Sequence, residues 1–311
     1  MNDPKTISIN VLSEIQNDPP YHQTLIREIE GITKRNLICY IANLEHPAGS
    51  MWPNDDEFLE VVLRGVDLEK YEHKIDFLLS SNGGAPEVAD RLCSTLKSFT
   101  KELRVIVPKS AMSAATLLSF GANSLVLGET SQVGPIDPQM LLKERELVPA
   151  NTIIQAYNRL LTDLDETPRD SPKIAGLLQQ LNFIDPFLVQ SSLKAREVAK
   201  KLANTLLQNG LLKDESEEFI KETIEKFIEH GETLTHGTAI RYPLLKQWGF
   251  KKIELMQKDD KLWELIWKLY VKCERYVAGH NFTKYFSSRA NGVQSQIIFQ
   301  KNLYTKTYTQ L

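Results

Sequence analysis

Residues 78–84 read LLSSNGG and residues 108–121 read PKSAMSAATLLSFG, and these two stretches decide how the first half of the chain folds. In the first, an apolar run ends in small polar residues and a glycine pair, as when a buried strand empties into a tight turn before a helix. In the second, Ser113 opens a helix crowded with alanine, whose small side chains allow close packing. Working outward, residues 37–43 (LICYIAN) and 75–80 (IDFLLS) read as buried strands, and residues 105–107 and 125–127 as two more. Helical patterns lie between them. Asn54, Asp55 and Asp56 offer N-caps for a helix carrying Phe58, Leu59, Val62 and Leu63, and Val88, Leu92, Leu96 and Phe99 mark another over 85–99. Strands alternating with helices in this way predict an α/β fold of βαβ units with a mainly parallel sheet.

From about residue 150 the pattern becomes helical almost throughout. Residues 213–230 carry Phe219, Ile220, Ile224 and Phe227 on one face, and residues 262–277 repeat this with Leu262, Ile266, Leu269, Cys273 and Val277. Residues 1–150 are therefore expected to form the α/β core, and 151–311 a helical extension packing on it and supplying oligomer contacts. The alternation in residues 281–311 is too weak to assign.

The 311 residues carry a net charge of −3, which gives no basis for a nucleic-acid partner. Cys39, Cys93 and Cys273 lie far apart without CxxC spacing, so no metal site or disulfide framework is indicated, and they read as buried thiols in a reducing compartment. The first residues lack the pattern of a secretory signal, and the longest apolar run, 111–128, is broken by serine, glycine and asparagine. A cytoplasmic location is expected, with membrane association left open.

Three segments carry chemistry. The Gly83–Gly84 pair can turn backbone N–H groups toward a ligand, which suits stabilisation of an oxyanion. Ser113 at a helix start meets the positive end of the helix dipole and free N–H groups. Residues 128–139 (GETSQVGPIDPQ) combine a path stiffened by Gly134, Pro135 and Pro138 with the carboxylate of Asp137. Each also has a plain structural reading: a strand-to-helix turn, an N-cap serine, and a cap for a helix beginning near Pro138.

The order and spacing of the three together resemble the Clp/crotonase superfamily, a fold of stacked ββα units. The stretch 113–134 is similar to signal peptide peptidase A. The GPIDPQ element with residues 234–240 (LTHGTAI) resembles the serine dehydrogenase proteinase family, a likeness that extends over roughly residues 35–250. The resemblance implies a serine peptidase with Ser113 as nucleophile and an oxyanion hole from Gly84 and Gly83 on one side and the Ala114 N–H on the other. It implies no cofactor, and no GxGxxG follows a strand. It also implies a peptide or protein substrate and a homo-oligomer, with an ATPase partner left open.

The general base is the open question. Where the Clp subunit has a histidine, this chain has Ile136, Asp137 and Pro138, and no histidine lies between His73 and His230. The candidates are His236, in a Thr235-His236-Gly237 segment with Ala239 where the family has proline; Lys109 or another lysine such as Lys143, Lys173 or Lys194; and a dyad assisted by Asp137. Two other functions stand beside the peptidase. One is a crotonase-type acyl-CoA enzyme. The other is a non-catalytic scaffold using the helix with Trp263, Trp267 and Tyr270.

Overall fold

The structure is a computed structural model and describes residues 18–142, 147–233, 237–300 and 303–310. Helix α1 (Pro19–Thr33) starts at Asp18, whose carboxylate accepts from the Tyr21 N–H at 3.1 Å, and stops at a left-handed Lys34. Strand β1 (Asn36–Ala42), α2 (Asp55–Arg64), β2 (Lys74–Ser80), α3 (Pro86–Phe99) and β3 (Glu102–Val107) follow. Next come the two-residue β4 (Ser110–Ala111), α4 (Ala114–Phe120), β5 (Ser124–Gly128), β6 (Gln132–Val133), β7 (Gln139–Leu141) and β8 (Leu147–Pro149).

Helices α5 (Ala150–Glu166), α6 (Lys173–Phe183), α7 (Pro186–Gln208), α8 (Glu217–Thr233) and α9 (Tyr242–Gln247) precede β9 (Ile253–Met256) and α10 (Lys261–Gly279). The chain closes with β10 (Lys284–Ser287), β11 (Gly292–Gln300) and β12 (Leu303–Gln310).

The main sheet has the order β12-β11-β10-β1-β2-β3-β5-β9, parallel from β1 to β9 and antiparallel from β1 to β12. A parallel strand in the middle of such a sheet is covered on both faces, which is why every residue of β1 is buried. Side chains alternate between the faces. Ile38, Tyr40, Phe77, Leu79, Val105 and Val107 join the layer of α2, α3, α4 and α8, whereas Leu37, Cys39, Ile41, Leu78 and Ile106 face α1 and α10. The second half of the chain is thus more than a helical extension, because β9 and β10 add themselves to both sides of the parallel strands.

At the carboxyl ends of β2, β3 and β5 stands a second, small layer. There β4 and β6 pair in parallel, Ser81 bridges to Ala111, Met51 bridges to Gly84, and Val133 pairs antiparallel with Ile240. No helix begins at Pro138, since residues 139–141 are extended in β7. The run 111–128 becomes α4 and β5, and no helix among the described residues is long and apolar enough to cross a membrane. In α10, Trp263 and Tyr270 are core residues against the sheet and only Trp267 reaches solvent. Helix α6 buries none of its residues, and Phe183 and Phe187 are exposed where it turns into α7.

Candidate active site

Strand β3 ends at Val107, and the chain crosses Ser81 through β4 before Met112 and Ser113 turn it into α4. Ser113 sits at φ 52°, ψ −118°, a backbone conformation that costs a side-chain-bearing residue on the order of 1–3 kcal/mol. Its neighbours hold it there. Met112 N–H donates to the Ser81 carbonyl at 2.9 Å, Ala115 N–H to the Met112 carbonyl at 2.9 Å, and Leu117 N–H to the Ser113 carbonyl at 3.1 Å. Although Ser113 occupies the N-cap position, its hydroxyl makes no capping bond and the residue is half-buried. The plain N-cap reading therefore does not describe it.

The double-glycine turn lies directly against this serine. A Cβ on Gly83 would fall 2.4 Å from the Met112 carbonyl oxygen, 2.8 Å from the Ala114 nitrogen and 2.9 Å from the Ser113 Cβ. A Cβ on Gly84 would fall 2.5 Å from both the nitrogen and the oxygen of Met51. Positive φ angles of 88° and 147° complete the requirement for glycine at both positions. The two amides differ in use. Gly83 N–H already donates to the Ser81 Oγ at 3.0 Å, so it does not fill the donor role the family resemblance implied for it. The N–H groups of Gly84 and Ala114 make no hydrogen bond among the described residues.

The GPIDPQ segment is fastened to the serine helix by Thr116. Its buried hydroxyl has the carbonyls of Ala111 at 2.8 Å and Gly134 at 3.0 Å as acceptors for its one hydrogen, and accepts from the Gly134 N–H at 3.0 Å. Asp137 is buried and accepts from the Gln139 Nε2 at 2.7 Å. Lys109 is exposed beside the site, its carbonyl bonded by the Gln132 N–H. Lys173 and Lys194 are exposed on α6 and α7, while His236 and Lys143 lie outside the described residues. Among the described residues no side chain hydrogen-bonds the Ser113 hydroxyl.

The thiols are not rival nucleophiles. Burial pushes Cys39 up to about 12 and Cys93 up to about 11, and Cys273 also well above its ordinary value, so all three stay protonated. Sequence reasoning missed Thr116 and Ser81. Ser81 had a local signal, because a serine two residues before a glycine commonly accepts from that N–H in a turn.

A family model for ClpP-like SDH-type serine proteinases matches residues 25–272. Two uncharacterized proteins of Methanocaldococcus jannaschii are similar to parts of the chain. One is 32% identical over 100 residues, 32% of this chain and 33% of that protein, and the other is 30% identical over 149 residues, 47% and 49%. The matched stretch thus spans a third to a half of each relative's length. Among solved structures, the 1510-N membrane-bound stomatin-specific protease aligns with 68% of this chain and 78% of its own at 10% identity and a TM-score of 0.43. ClpP1 from Listeria monocytogenes aligns over 76% and 97% at 14% identity and a TM-score of 0.39. These two likenesses are too distant to bear on the chemistry.

Proposed function

The chain belongs to the ClpP-like SDH-type serine proteinase family, and from that premise we propose that it hydrolyses peptide bonds through an acyl-enzyme on Ser113. The observation that carries this reading is the packing of the Gly83–Gly84 turn onto Ser113 and Ala114, with the serine held at positive φ. A strained strand-to-helix turn is a means of presenting a serine hydroxyl outside its own helix. In the reaction, Ser113 Oγ attacks the substrate carbonyl while a base takes its proton. The oxyanion that forms accepts from the Gly84 and Ala114 N–H groups. Collapse expels the amine with that proton, and water then cleaves the ester by the same path in reverse.

The base we assign is His236. What supports this is the anchoring of Ile240, four residues on. Ile240 and Val133 exchange hydrogen bonds of 2.9 Å each, and Val133 pairs with Ala111, two residues before the serine. Four residues reach at most about 14 Å. Lys109 is the weaker candidate because a lysine base needs desolvation and this ammonium stands exposed.

A fluorophosphonate probe and a fluorogenic peptide test the reading. Wild-type protein should label and hydrolyse. Ser113→Ala should abolish labelling and lower kcat by on the order of 10⁴-fold or more. Hydrolysis that survives Ser113→Ala undiminished refutes it, whereas equal activity in His236→Ala refutes only the base.

A further inference from the structure

Gly83 lies between two peptide units, and both are tied by different routes to one buried carboxylate. The unit before it offers the Gly83 N–H to the Ser81 Oγ at 3.0 Å. The Ser81 side chain interacts with the equally buried Tyr40 phenol, whose Oη–H donates to Asp55 Oδ2 at 3.1 Å. The unit after Gly83 is pinned at its carbonyl, which accepts from the Met51 N–H at 2.7 Å. The next N–H along, that of Trp52, donates to the same Asp55 Oδ2 at 3.0 Å.

This second unit is the one that carries the Gly84 N–H. A trans peptide is planar, with N–H and C=O pointing opposite ways, so fixing the Gly83 carbonyl on Met51 fixes the direction of the Gly84 N–H. Asp55 is itself held from a third side. Lys284, brought in on β10, donates to Oδ1 at 2.7 Å and Oδ2 at 2.8 Å. The carboxylate is 2% exposed, the lysine 3%, and Tyr40 and Ser81 are fully buried. Burial pushes the Asp55 carboxyl up against the opposing pull of Lys284, and burial followed by the Asp55 charge keeps the Tyr40 phenol protonated as a donor. A buried ion pair is weak evidence for stability, and what points to a role in fixing geometry is that Asp55 also accepts from the Tyr40 phenol and the Trp52 N–H.

We propose that Asp55 is the positioning residue of the oxyanion turn, aiming the Gly84 N–H through Tyr40 and Ser81 on one side and through the Met51–Trp52 backbone on the other. The proposal rests on the peptidase reading above. It predicts that loosening either link lowers turnover without changing how substrate binds.

Asp55→Ala would strand a buried ammonium and endanger folding, so the test uses Tyr40→Phe, which keeps the ring stacked on Phe286, and Ser81→Ala in the full chain. Each should lower kcat by about 10- to 100-fold with KM within about twofold, since a misplacement of this kind costs up to about 100-fold. Affinity for a peptide aldehyde, whose adduct places an oxyanion, should fall with kcat. Amide exchange in glycine-labelled protein should be at least about tenfold faster at Gly83.

Undiminished kcat and aldehyde affinity in both variants of an active enzyme overturn the positioning role and leave the peptidase reading intact. A wild type that neither hydrolyses nor labels sinks the peptidase reading instead. In that case unchanged Gly83 exchange in both variants overturns the Tyr40–Ser81 route as well.

Discussion

The parallel strands β2, β3 and β5 end in two different ways. At their carboxyl ends the chain turns through Ser81, Gly83, Gly84, Met112 and Ser113, a packed layer held by backbone hydrogen bonds and containing two glycines and a serine at positive φ. At their amino ends lies a cavity of about 700 Å³ lined by Lys74, Glu102, Ser124, Lys213, Asp214 and Lys252, with ion pairs across its rim. That cavity lies at the end without the glycine turns or the candidate nucleophile. Exposed lysines and carboxylates leave space because they point into water. The serine end is tight because the Gly83–Gly84 turn packs directly onto Met112, Ser113 and Ala114, an approach only glycine permits, and the proposed oxyanion hole needs amides that close. The proposed chemistry therefore rests on strained backbone and not on cavity volume.

The strongest challenge to that contrast is Gly83→Ala. A methyl group there meets the Met112 carbonyl and the Ala114 amide at φ 88°, so kcat/KM should fall by about 100-fold or more. Near-normal turnover would show that the turn is not rigidly matched to the serine. Acid provides the next largest effect, and it should be felt at neither end. Burial between α1 and α10 lowers His22 to about 4 from its ordinary 6.5. Between those values the unfolded chain binds the extra proton. Stability is therefore fully present above pH 6.5 and is lost as pH falls to about 4, by roughly 3 kcal/mol. Urea midpoints across that range measure it, and His22→Phe should flatten the slope. The smallest effect belongs to the amino end. Lys252→Ala removes a surface pair to Asp214 and should shift Tm by no more than about 1 °C with kcat/KM unchanged. A large loss of activity would mean that the cavity takes part in function after all.

The legible part of the molecule was local. Buried on both faces, β1 and β2 are mostly apolar runs, and the turns after them need glycine or small residues, so strand, turn and helix could be read in order from a few adjacent residues. The antiparallel extension was not legible, because β10 begins with Lys284 and β11 carries Gln294, Ser295 and Gln296, which blur the alternation expected of a half-buried strand. The four-residue β9 is too short for a periodicity to show. The site divided along the same line. Ser113 and the glycine pair announce themselves by spacing, while Asp55 looks like one more helix cap. Its actual partners, Tyr40 and Lys284, come from two other strands, and the cap position belongs to Asn54, which makes no capping bond. A pairing across 229 residues leaves no mark in the neighbourhood of either member.

That separation also imposes a timetable. A ribosome adds about 5–20 residues per second, so the stretch from Asp55 to the lysine that neutralises it takes roughly 10 to 45 seconds to synthesise. For most of that interval the nascent chain already contains its serine and its glycine pair, yet the aspartate beneath them still lacks its counter-charge. The proposed oxyanion turn is in this way completed late, by a counter-charge that arrives only after all five parallel strands of the sheet have been made.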